Sequence, residues 1–129
     1  MNGKALVDTN VVIGLFAGDP AIVEGLKNQQ AVFLCVPVMG ELRYGAQASA
    51  RVEINLARLD EFARALIVLP CDMATAKAYA EVKFDLRKKG RPMPENDVWI
   101  ASLARQHGLT LLTRDVHFQE IEDLNVELL

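Results

Sequence analysis

The stretch Ala5-Leu6-Val7-Asp8-Thr9-Asn10-Val11-Val12 decides how the rest of the chain is read. Three apolar residues without polar alternation read as a short strand covered on both faces. An acid follows at once, and Asp8 or Thr9 is a suitable N-cap for a helix beginning near Val11. A covered strand running into a capped helix is the opening of a βαβ unit. The pattern recurs: Val32 to Val36, Ile67 to Leu69 and Thr110 to Thr113 read as strands, with Val126 to Leu128 a weaker fifth. Between them Val52, Leu56, Leu59, Ala63 and Leu66 repeat at spacings of four and three, giving an amphipathic helix. A second helix is predicted from the cap Asp72 to Gly90, before Pro92, and a third from about Asn96 to His107, ending at Gly108. This alternation predicts one α/β domain over residues 1–129. It has a central parallel sheet of about five strands, helices on both faces and right-handed crossovers.

At 129 residues and 51% hydrophobic, the chain has enough length for one sizeable core and not for two. No uncharged apolar run approaches the roughly 18 to 20 residues of a spanning helix. Asp8 interrupts the early apolar stretch, which argues against a signal peptide. The expectation is a cytoplasmic protein without a membrane anchor. Cys35 and Cys71 lack metal-ligand spacing, and their apolar neighbours predict buried, reduced thiols. The net charge of −3 argues against a nucleic-acid partner only until its distribution is considered, because Lys83, Arg87, Lys88, Lys89 and Arg91 fall within nine residues.

Four carboxylates carry the chemistry: Asp8, Glu41, Asp97 and Asp115. Asp8 directly follows the first strand. Glu41 lies five residues past the second, beyond Pro37, which suits a helix's first turn. Asp115 lies two residues past the fourth strand, and Asp97 opens a helix. In parallel sheets ligands bind outside the carboxyl ends of the strands, where strand order reverses. Each acid alone has a local explanation: Asp8 and Asp115 as helix caps, Asp97 as a favourable charge on a helix dipole. Asp97, however, lies in line with Ile100, Ala101 and Ala104, on the face that packs on the sheet, where an unpaired carboxylate is costly. Glu41 shares a helix face with Gly45 and Ala48, small residues that would admit a close neighbour. Four acids at one edge need a cation, and hard oxygen donors without His or Cys favour Mg²⁺ or Mn²⁺. A metal-activated water is then the natural nucleophile for a phosphodiester.

These contexts resemble the PIN-domain ribonucleases, and within them the VapC toxins of bacterial toxin–antitoxin pairs. The motifs that carry the resemblance are Asp8-Thr9-Asn10, Gly40-Glu41-Leu42-x-x-Gly45-Ala46, the run Leu86 to Ala101 containing Asn96-Asp97-x-Trp99-Ile100-Ala101, and Leu111-Leu112-Thr113-Arg114-Asp115-x-His117-Phe118. The resemblance implies a PIN-like fold and a metal-dependent endoribonuclease. Asp8 and Asp97 would be the principal metal ligands. Glu41 and Asp115 would hold metal-bound water or a second ion, with Asn10 and Thr113 as polar supports. Some relatives carry an acid where this chain has His117, a departure that favours one tightly held metal over two. The resemblance also implies a homodimer held inactive by a cognate antitoxin, whose C-terminal segment covers the acidic site. The RNA is expected to be single-stranded or looped, with Arg43, Lys88, Lys89, Arg91 and Arg114 as candidate phosphate contacts.

Two rivals remain. A PIN-fold module that binds metal or partner without cleaving shares every motif. A receiver-like signalling domain would need a phosphorylatable Asp ending the third strand and a late Lys; here Leu69-Pro70 ends that strand and no Lys follows Lys89.

Overall fold

A computed structural model describes residues 2–129. Five strands, β1 (Asn2–Val7), β2 (Gln29–Cys35), β3 (Ile67–Leu69), β4 (Thr110–Thr113) and β5 (Val126–Leu128), pair in parallel in the order β3-β2-β1-β4-β5. The chain moves outward from β1 through β2 to β3, then returns across the sheet to β4 and β5. Strand order therefore reverses between β1 and β4, whose registers pair Ala5 with Thr110 and Val7 with Leu112. Right-handed crossovers then set α1 (Thr9–Phe16), α2 (Pro20–Lys27), α3 (Val36–Gln47) and α4 (Val52–Arg64) on one face. By the same rule, α5 (Met73–Lys89) and α6 (Glu95–Gln106) cover the other. A short 3-10 turn, Val116–Glu120, joins β4 to β5.

The central strands are buried as their apolar runs require: Ala5, Leu6, Leu34, Leu111 and Leu112 are fully covered. The edge strand β3 departs from the expected two-sided cover, with Ile67 61% exposed. Strands β1 and β2 begin earlier than their apolar runs, because the ladder pairs Asn2 with Gln29 and Lys4 with Ala31. Helix α2 was not foreseen, although Asp19 accepts from the amides of Ala21 and Ile22 and Pro20 occupies the first turn.

Local chemistry explains the other ends. Asp72 and Thr75 form a reciprocal capping box at the start of α5, and Gly90, at φ 67°, closes it. His107 caps α6, with Gly108 in the left-handed region at φ 64°. In α4, Leu59 is buried, while Leu56, Phe62 and Ala63 pack against the core, so its apolar stripe serves intramolecular packing. Cys35 is buried, which pushes its thiol up to about 12. Cys71 corrects the sequence expectation: it lies exposed just beyond β3, because the edge strand leaves its flank open. No single helix among the described residues is long and apolar enough to cross a membrane.

Candidate active site

The carboxyl ends of β1 and β4 meet where strand order reverses, and the acids gather there. Asp8 is both the last link of the sheet and the cap of α1. Its amide donates to the Leu112 carbonyl (3.0 Å), and its Oδ1 accepts from the Thr9 amide (2.8 Å). Its Oδ2 accepts from the Thr113 hydroxyl (2.6 Å). Thr113 is fully buried, and its Oγ1 also accepts from the Asp115 amide (3.0 Å). The cap explanation for Asp8 is therefore correct but incomplete, since one carboxylate both caps a helix and faces the cluster.

Glu41 comes from the second turn of α3. Its Oε1 accepts from the Thr9 hydroxyl (2.8 Å), so Thr9 and Thr113 bracket Asp8 and Glu41 from two strand ends. Asp97 sits in the first turn of α6, half-buried, on the same side as the fully covered Ile100, Ala101 and Ala104. The start of α6 is tied to α3 by the Asn96 side chain, whose Nδ2 donates to the Pro37 carbonyl (3.1 Å). Oxygens of Asp8, Glu41 and Asp97 lie within 4.8 Å of one another.

Electrostatics follow from this crowding. Burial raises the Asp8 carboxyl above its ordinary value; hydrogen bonds from Thr113 and Thr9 oppose the rise, and the charges of Glu41 and Asp115 add to it. Asp97 is pushed up to about 6, first by burial and then by the charges of Asp8, Glu41 and Asp115, with His117 pulling the other way. Three carboxylates at this spacing resist simultaneous ionisation unless a cation neutralises them. Their all-oxygen donor set fits a hard divalent ion.

Asp115 stands apart from this trio. Its Oδ1 caps the 3-10 turn through the His117 amide (2.9 Å) and meets the His117 ring Nδ1 at 2.7 Å. Sequence reasoning grouped Glu41 with Asp115; Glu41 shares the close oxygens of the trio, while Asp115 reaches Asp8 and Asp97 through its charge. Asn10 accepts from the Arg114 amide (3.3 Å) and so braces the turn after β4. The five candidate RNA contacts are mostly engaged. Arg43 pairs with Asp60 at 2.7 Å, Lys88 with Asp85 at 3.9 Å, Lys89 with Glu122 at 3.3 Å, and Arg114 with Asp19 at 2.8 Å. Arg91 is exposed and makes no ion pair among the described residues. Lys83 pairs with Glu95. Trp99 stacks on Tyr79 at 4.0 Å between ring centres, while Tyr44 stands 76% exposed.

Gly45 does not serve a close approach within the chain, because a Cβ there would meet nothing within 4 Å. It lines an apolar cavity of about 280 Å³ beside α1, α3 and α4, bounded by Ile13, Phe16, Leu42 and Leu59 and opening onto Glu41. The sequence reading gave no role to Thr9 beyond a cap, nor any to Asn96 or Asp19. The Asp19-Pro20 pair was a legible helix-start signal. The reach of Thr9 to Glu41 across 32 residues had no local signal.

Comparison with known proteins agrees with this geometry. Residues 5–124 match the family model of the PIN domain. The chain is 33% identical over 127 residues to Ribonuclease VapC2 of Haemophilus influenzae, covering 96% of each. It is 32% identical over 127 residues to the tRNA(fMet)-specific endonuclease VapC of Shigella flexneri, again covering 96% of each. A solved member of the VapBC family of toxin–antitoxin systems, VapBC-5 from Mycobacterium tuberculosis, superposes with a TM-score of 0.74 at 29% identity, covering 98% of this chain and 97% of that one. With its acids gathered at the β1–β4 reversal and a family match spanning nearly its whole length, the chain belongs to the PIN domain family.

Proposed function

We propose that this chain is the ribonuclease toxin of a VapBC-type pair, hydrolysing RNA phosphodiester bonds with Mg²⁺ or Mn²⁺ and held inactive by an antitoxin. The observation that carries the reading is the meeting of Asp8, Glu41 and Asp97 oxygens within 4.8 Å at the strand-order reversal. The similar proteins named as ribonuclease and endonuclease support the activity, and the VapBC relative supports the partner.

When bound, a divalent cation supplies charge neutralisation, activates a water and polarises the phosphodiester. The chain's own groups prepare that site. Thr113 and the Thr9 amide fix both oxygens of Asp8 and favour its ionised form. Thr9 orients Glu41 from the same turn. Asp97, raised by burial and its acidic neighbours, would take the cation in its ionised form, so protons compete with the ion as pH falls towards 6. Asp115 stands beside the trio as an outer group, and Asn10 and Thr113 support the turn that carries it. Arg91, with Lys88 and Lys89 at the end of α5, supplies positive charge for RNA phosphates near Asp97. The apolar cavity that opens onto Glu41 is where an antitoxin segment would approach the acids. A homodimer and a cytoplasmic setting belong to this proposal.

The test is cleavage of a total RNA pool by the purified chain freed of any co-purified protein. Cleavage that EDTA abolishes and Mg²⁺ or Mn²⁺ restores is the expected result. A chain that binds the cation but leaves the RNA intact would make it a non-cleaving module of the same fold.

A further inference from the structure

Arg114 sits on the turn leaving β4, between Thr113 and Asp115, and its side chain is drawn away from the acids. One guanidinium N–H group donates to Asp19 Oδ2 at 2.8 Å, and Nε donates to the backbone oxygen of Leu129 at 3.0 Å. Its own amide donates to Asn10 Oδ1 at 3.3 Å. Leu129 in turn donates its amide to the Thr113 carbonyl at 3.0 Å. The Leu129 side chain lies against Gly25 of α2, where an added Cβ would come within 2.6 Å of it. Three segments thus converge on this one turn: the start of α1, the start of α2 and the residue after β5.

We propose that Arg114 is a positioning residue for the Asp8 cation site, a latch that holds the 113–115 turn so that Thr113 fixes the Asp8 carboxylate. The inference rests on the metal reading of the acidic trio. The route is short. Arg114 holds Leu129, Leu129 holds the Thr113 carbonyl, and the Thr113 hydroxyl donates to Asp8 Oδ2 at 2.6 Å. Arg114 suits this task because its planar fork grips two acceptors at once in fixed geometry. Asp19 also caps α2 through the Ala21 and Ile22 amides, so one end of the latch is itself anchored. Ligand-orienting partners of this kind set metal affinity, with losses of about 10- to 100-fold when a direct partner is removed.

Isothermal titration of the full chain with Mn²⁺, alongside RNA cleavage kinetics, tests the latch. The variants are Arg114→Gln, Arg114→Lys and Asp19→Asn. Asparagine keeps an oxygen for the α2 cap while turning an amide N–H towards the guanidinium. Wild type binds Mn²⁺; Arg114→Gln and Asp19→Asn weaken it roughly three- to tenfold, one step less than loss of a direct partner. Arg114→Lys, able to hold a single acceptor, falls between, and KM for RNA is unchanged in all three. Unaltered Mn²⁺ affinity in both Arg114→Gln and Asp19→Asn overturns the latch. So does a KM that rises in Arg114→Gln and falls in Asp19→Asn, the pattern of a phosphate ligand. Should Arg114→Gln fail to fold, the Asp19→Asn comparison decides alone. A wild-type chain that binds no Mn²⁺ overturns the metal reading itself, and the latch with it.

Discussion

At the scale of single residues, the site is a problem of charge. Asp97 ionises near 6 in the folded chain against about 3.8 for an unperturbed Asp. Between those values the folded chain holds a proton that the unfolded chain has released. The stability associated with this group is therefore full below about 3.8 and lost as pH rises through 6. Burial raises Asp8 as well, and its contribution runs in the same direction. Metal-free protein should then lose part of its thermal stability between pH 4 and 7. The increment in Tm on adding Mg²⁺ or Mn²⁺ should grow over the same window, because the ion binds the ionised acids. Thermal melts at several pH values, with and without metal, check both slopes; a metal increment independent of pH would contradict the account. Glu41 illustrates what sequence could not say. Its position on α3 was legible, but its meeting with Asp8 and Asp97 depends on how α3 packs against α1 and α6. No spacing rule encodes that rotation.

At the scale of elements, strands β3, β4 and β5 were legible to the residue: β4 as a covered apolar run, and the edge strands β3 and β5 as short runs rich in β-branched and aliphatic residues set off by polar or turn residues. The long helices were legible from their end signals, α5 from the Asp72 cap and Gly90, α6 from Gly108. What escaped was short or polar: α2, eight residues long, and the polar first residues of β1 and β2, held by ladder pairing rather than by side-chain preference. The exposed Cys71 escaped because local apolarity does not reveal that β3 is an edge. Asp72 shows how much one cap carries. Its Oδ1 accepts from the Thr75 amide and from the Gln106 side chain of α6, each at 3.0 Å, so it joins two helices as well as starting one. Asp72→Ala should lower the midpoint of a denaturant titration, without changing the site. An unchanged midpoint would show that the box is replaceable by water.

At the scale of the whole molecule, topology does the gathering. Parallel strands place their carboxyl ends on one edge, and the reversal between β1 and β4 opens a crevice there, so residues distant in sequence reach one another. Thr113 and Asp8, in contact through their side chains, are 105 residues apart. The same edge opens into the apolar cavity beside Glu41, where Ile13 remains 58% exposed. If an antitoxin segment lies there, Ile13→Gln should weaken its binding by roughly 5- to 30-fold, the worth of about 1–2 kcal/mol of apolar contact. Cleavage by the free chain should stay within about twofold of wild type. Titration of the antitoxin against each chain separates the two effects, and equal affinity would place the partner elsewhere. The central claim, that the acidic trio holds a cation for RNA cleavage, is tested most directly by single-turnover cleavage of one defined RNA in Mg²⁺ by wild type and by Asp97→Asn. The account predicts a rate at least about 100-fold lower in the variant, the lower end for loss of a group that acts on the reacting centre. Cleavage by Asp97→Asn at the wild-type rate would contradict it.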